Sequence, residues 1–167
     1  MRKLWGLVPL LFLVACGDGM SEEEQAAENA RLSAEVEQAN GVLPEPESLA
    51  LQVIGFPDME AHQLYGTSCA FVPEGGGLGA VFLAMQQGGH FKRGGEIVTL
   101  APDSGSAELP YGGREVYSGT DHTARLTVTG DGVVSDAEAV TYDARLVITD
   151  AEERPVYDRS GKAQCGA

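Results

Sequence analysis

Apolar and polar positions alternate in short runs over the last two thirds of the chain, and not in its first third. In 122–129, Ala124, Leu126 and Val128 fall on one side of an extended strand, and Thr123, Arg125, Thr127 and Thr129 on the other. In 141–149, Tyr142, Ala144, Leu146 and Ile148 repeat that arrangement. A period of two marks a strand with one buried face. Further short runs lie at Leu49-Leu51-Val53, Cys69 to Val72, Ala80 to Met85, Ile97 to Leu100, Glu115 to Ser118 and Arg154 to Tyr157. Gly, Pro and Asp separate them, and Gly130-Asp131-Gly132 predicts a tight turn. The series predicts one mainly β domain over 48–167, a small antiparallel barrel or sandwich of about eight strands.

The region before 48 has a different pattern. Ser21-Glu22-Glu23-Glu24 fits a capping box, and its acids complement the positive end of a helix dipole. Ala-, Glu- and Gln-rich sequence continues to Asn40, and Gly41 suits the position just past a helix end. Leu32, Val36 and Ala39 form only a narrow apolar stripe, so a polar spacer helix of about 30 Å is expected. Pro44-Glu45-Pro46-Glu47 then predicts a stiff linker.

Ahead of the spacer, Arg2 and Lys3 precede an apolar run from Leu4 to Val14, too short to span a bilayer. The run ends in Leu13-Val14-Ala15-Cys16, which resembles the lipobox of bacterial lipoproteins. The resemblance implies a signal peptide over 1–15, cleavage after Ala15, and Cys16 as the new N-terminus. Cys16 would then carry diacylglycerol through its sulfur and a fatty acid such as palmitate on its nitrogen. Several acyl chains anchor stably where one is marginal. Gly17, in place of the Asp that retains many such proteins in the inner membrane, implies the periplasmic face of the outer membrane. The acylated Cys16 and spacer thus occupy 16–47.

With Cys16 assigned to lipid by that resemblance, Cys69 and Cys165 remain, in a compartment that permits disulfides. The chain has no Cys-x-x-Cys, so one structural bridge is expected, with a redox or metal-binding pair as the alternative. In the chain-entropy model, closing a loop of about a hundred residues stabilises by up to about 4.7 kcal/mol.

The formal charge is −14, and loss of Arg2 and Lys3 with the signal would take it to −16. Residues 17–47 hold nine acids and one base. This balance argues against nucleic acid and bare anionic lipid as partners. Membrane contact is therefore expected through the lipid on Cys16, and a basic protein suits the acidic surface. Solubility and a self-repelling tether account for the same charge.

Little recognisable chemistry is present. Gly75-Gly76-Gly77-Leu78-Gly79-Ala80 loosely matches a dinucleotide fingerprint, but Pro73 interrupts its entry and Gly88-Gly89 cuts short any following helix. An inter-strand loop is expected there, and no cofactor. His62, His90 and His122 are scattered, so no metal site is expected. There is no Gly-x-Ser-x-Gly and no His-Glu-x-x-His. Two glycine-framed stretches combine aromatic and basic residues as an interface anchor does: His90, Phe91, Lys92 and Arg93 in one, Tyr111 and Arg114 in the other. The alternative for the first is a hairpin with Phe91 turned inward. Thr123 to Thr129 also echoes Asp143 to Thr149, placing Arg125 and Arg145 alike. They could form an outward basic pair, or each could pair with a nearby acid.

A small all-β lipoprotein domain with one cysteine near its start and one near its end is similar in plan to the membrane-bound inhibitors of c-type lysozyme. The similarity covers 69–165 and extends to no motif, so it assigns no site residue. The sequence leads to an anchored periplasmic protein with a non-catalytic binding or envelope-structural domain. An inhibitor of a secreted hydrolase such as lysozyme is the second reading, and an enzyme with an unrecognised site the third.

Overall fold

A computed structural model describes residues 21–39, 41, 45–136 and 139–166. The expected signal 1–15, Cys16 and Pro44 lie outside the described residues. The chain divides into two compact units, Met1–Glu45 and Pro46–Ala167.

In the first unit, helix α1 spans Glu22–Ala39. Its start is fixed by the expected box: Ser21 donates its backbone N–H to the Glu24 carboxylate at 2.9 Å, and Glu24 N–H donates to Ser21 Oγ at 3.3 Å. Leu32 and Val36 are exposed, as a nearly uniform polar helix leaves them.

The second unit is a closed eight-stranded antiparallel barrel in which every strand pairs with its sequence neighbours and β1 pairs with β8. The strands are β1 Ser68–Pro73, β2 Phe82–Met85, β3 Gly89–Arg93, β4 Glu96–Pro102, β5 Val116–Ser118, β6 Thr123–Asp136, β7 Ala139–Thr149 and β8 Pro155–Gly166. Period-two alternation turns Ala124 and Leu126 of β6 and Ala144, Leu146 and Ile148 of β7 inward. They meet Phe71, Phe82, Phe91, Leu100 and Tyr117 in one core. Cys69 and Cys165 face each other across the β1–β8 seam and are disulfide-bonded. The bridge joins the first and last strands at a sequence separation of 96, so it fastens the barrel's closure covalently.

Both ends of the barrel are filled. At one end, the segment entering the unit crosses the barrel mouth. Leu49 N–H bonds Val156 O at 2.8 Å, Gln52 N–H bonds Lys92 O at 2.9 Å, and Ile54 N–H bonds Ala80 O at 2.8 Å. Leu49 itself is buried in the core. At the other end, the loop between β4 and β5 folds in, with Leu109 buried and the Tyr117 hydroxyl donating to Met85 O at 2.8 Å.

Three expectations are corrected. The Leu49-Leu51-Val53 run is not a strand, because its hydrogen bonds go to three different places around the mouth instead of along one neighbour. Residues 89–93, expected as a loop, form β3, and the tight turn falls at Gly94-Gly95, both at positive φ. Gly130-Asp131-Gly132 is a bulge inside β6, where the register jumps between Thr129 and Val133, and not the turn. A short helix, α2 (Phe56–His62), was not foreseen. Its Met59, with Ile54 and Leu64 beside it, covers Leu83 and Met85 on the outside of the barrel as a second apolar cluster.

Candidate functional site

The structure separates the six candidate binding residues. Phe91 is fully buried, packs in the barrel core and meets His122 edge-on at 5.6 Å. Its neighbour Phe82 is register-paired with it, so both rings point inward. His90 points the other way and is still buried, at 5 % exposure. Its Nδ1 lies 3.1 Å from Thr99 Oγ1, while Nε2 is buried without a hydrogen-bond partner. Burial, and then the nearby His62, push the His90 imidazole below its ordinary pKa, which keeps it neutral. Lys92, on the same outer side as His90, pairs with Asp58 of α2 at 2.7 Å. Asp58 also accepts the Gly55 N–H at 2.9 Å. The Lys92 hydrogen bond, then the Gly55 amide, hold the Asp58 carboxyl below the usual range. Only Arg93 of this group is exposed. The expected basic anchor is therefore corrected: Phe91 belongs to the core, Lys92 holds Asp58 of α2, and His90 is buried against Thr99.

Tyr111 and Arg114 lie in the loop that fills the far end. Tyr111 is part-exposed at φ 62, a left-handed conformation uncommon for a side chain of its size. Arg114 donates its backbone N–H to the Tyr117 hydroxyl at 2.7 Å and is half-buried. Arg93 ends β3, whereas these two residues lie between β4 and β5.

The hollow that stands out lies elsewhere, on the outer face of β6, β7, β8 and the end of β1. It measures about 620 Å³ and is lined by Thr127, Thr129, Asp143, Arg145, Ser160 and Lys162, with Glu74 at its rim. Strand alternation turns these side chains out while Ala144 and Leu146 turn in. Its cations are engaged. Arg145 forks onto Asp158, with Nε 2.7 Å from Oδ1, and Lys162 Nζ lies 2.5 Å from Asp143 Oδ1. Beside them, Arg125 pairs with Glu115 at 2.7 Å. The Arg145 fork holds the Asp158 carboxyl below its ordinary value. So Arg125 and Arg145 share a face, as their echo suggests, and each is neutralised by an acid rather than presented as a free basic pair.

No protein-family model, curated protein sequence or solved structure matches this chain. The site must therefore be read from its own residues. Arg125 and Arg145 stand out in the sequence, whereas Asp143, Ser160 and Lys162 join Thr127 and Thr129 at one site only in the fold. The missed signal was the outward half of the same alternation: hydroxyl and charged residues at every second position of three neighbouring strands. Chemically, the hollow offers hydroxyls and paired charges of both signs, suited to a polar ligand or peptide held by hydrogen bonds.

Proposed function

We propose that this protein is a lipid-anchored lipoprotein of the bacterial envelope, facing the periplasm from the outer membrane, and that its barrel is a non-catalytic binding or structural domain. The observation that carries the reading is the fate of the three cysteines. Cys69 and Cys165 are bonded to each other. Cys16, in Leu13-Val14-Ala15-Cys16, is left as the one cysteine free to take lipid. A structural disulfide belongs to an oxidising compartment, which agrees with export. The polar helix α1 and the Pro-containing stretch after it suit a spacer between an anchor and the barrel.

The binding reading is supported by a barrel whose interior is packed by aromatic and aliphatic side chains and whose polar chemistry lies on its outer face. Density-gradient fractionation tests the placement. The native protein is expected in outer-membrane fractions, and Cys16→Ser is expected to lose incorporation of labelled palmitate. Recovery of the wild type in the fluid phase, without palmitate, would overturn the reading.

Inhibition of a basic secreted hydrolase is the second reading, favoured by the net charge of −14. A c-type lysozyme activity assay with purified protein decides it. Full enzyme activity at a large excess of this protein would remove lysozyme as the target.

A further inference from the structure

We propose that the open edge of β6, from Val128 to Val134, accepts an extended basic segment of another protein as an added strand. This deepens the binding reading by naming where the partner sits and what its chemistry is.

Among the described residues the edge is unpaired because β5 is short. β5 pairs with β6 only over Thr123 to Arg125, and the last hydrogen bond on that side runs from Leu126 N–H to Glu115 O at 2.8 Å. Beyond it, no described residue pairs with β6 on that side. N–H and C=O groups point to alternate sides along a strand. Since Leu126 faces the β5 side, Val128 presents its backbone groups to the same side, where no described residue pairs with it. After the bulge, pairing with β7 resumes at Val133↔Thr141 and Val134↔Val140. Continuing the alternation along β7 makes Val133 the residue bonded to β7 and Val134 the one facing outward.

The side chains agree with the backbone. Val133 and Val134 are consecutive, so they lie on opposite faces of the hairpin, yet they are 72 % and 73 % exposed. Nothing described covers either face, and a strand laid beside them would shield both. The outer face of this hairpin also carries a hollow of about 480 Å³, lined by Asp131, Val133 and Thr141 and sharing Thr129, Asp143 and Lys162 with the larger one. A strand added at the edge would have room there for alternate side chains. Strand addition gains affinity from main-chain hydrogen bonds and specificity from such flanking pockets.

Charge selects the occupant. Asp131 is exposed beside the edge, and the whole chain carries −14. A second copy would bring the same acid and the same net charge, so self-pairing is repelled. A segment alternating Lys or Arg with apolar residues is attracted. The bulge at Gly130–Gly132 interrupts the edge, which suits one short added strand and opposes open-ended stacking.

The test uses isotope-labelled full-length protein and a capped seven-residue peptide alternating lysine and valine, with glutamate replacing lysine in the control. Saturating lysine peptide is expected to slow amide exchange at Val128 and Val134 by about tenfold or more, and the glutamate peptide to leave it unchanged. Val134→Pro removes an outward N–H without touching the β7 ladder, so it is expected to abolish the effect while the thermal midpoint is kept. Val134→Thr, which keeps the N–H, is expected to bind; if the proline variant unfolds, the glutamate peptide remains the arm that must give no protection. Protection elsewhere, equal protection by both peptides, or no protection would overturn the proposal. So would concentration-dependent protection of the same amides without peptide, which would make the edge a contact between copies. None of these outcomes bears on whether Cys16 carries lipid, so failure here leaves the anchoring reading standing.

Discussion

At the scale of single residues, the stretch 90–93 shows how burial decides role. His90, Phe91 and Lys92 look in sequence like an exposed aromatic and basic cluster, but β3 turns Phe91 into the core, Lys92 onto Asp58 of α2, and His90 against Thr99 of β4. Phe91→Ala is expected to destabilise the barrel by about 3–5 kcal/mol, measured by urea unfolding. A change within about 0.5 kcal/mol, as for a surface position, would contradict the placement. His90 gives a pH dependence whose sign follows from its lowered pKa. The unfolded imidazole takes up a proton near its ordinary 6.5, whereas the folded one resists it. Stability is therefore complete above about 6.5 and falls as the pH drops below it. His122, lowered by burial and then by Arg93, adds in the same direction. His90→Leu is expected to flatten this acid slope in urea titrations at pH 7.5 and 5.5, and an unchanged slope would count against it. Asp58 acts only lower, because its carboxylate stays ionised below the usual 3.8.

At the scale of elements, long alternating strands were legible and short or covering elements were not. β7 and the first half of β6 are legible directly, because Leu126 and Leu146 sit in unbroken alternation, whereas the glycines at 130 and 132 read as a turn and hide the second half of β6. The capping box of α1 was equally plain, since Ser21 and Glu24 satisfy one another locally. β3 was hidden because glycines frame it: Gly89 fits only where a side chain would strike Tyr117 and Phe82, a tertiary constraint. α2 spans only seven residues, although Pro57 followed by Asp58, which caps Gly55, was a usable start signal. The run Leu49 to Val53 alternates like a strand but serves as a cover. Leu49→Ala is expected to cost about 2–5 kcal/mol by opening the filled mouth, read as a lower denaturant midpoint. Reduction of Cys69–Cys165 frees the β1–β8 seam, and a lower thermal midpoint with dithiothreitol is expected. An unchanged midpoint would mean that strand pairing alone closes the barrel.

At the scale of the whole molecule, the parts agree on one arrangement: a polar helix, then a barrel packed to its ends and fastened by its own disulfide, with chemistry confined to the outside. The outer-face hollow was only half legible, because strand alternation says which side chains face out but not which strands curve together around them. The acids and bases on that face mostly neutralise one another, which leaves the net negative charge and the β6 edge as the features that the proposed basic segment would engage. The lipid anchor is tested most directly by mass spectrometry of the native protein's N-terminal peptide. A chain beginning at Cys16 is expected, with diacylglycerol on its sulfur and an acyl group on its nitrogen. A chain beginning at Met1, or cut elsewhere with Cys16 unmodified, would contradict it.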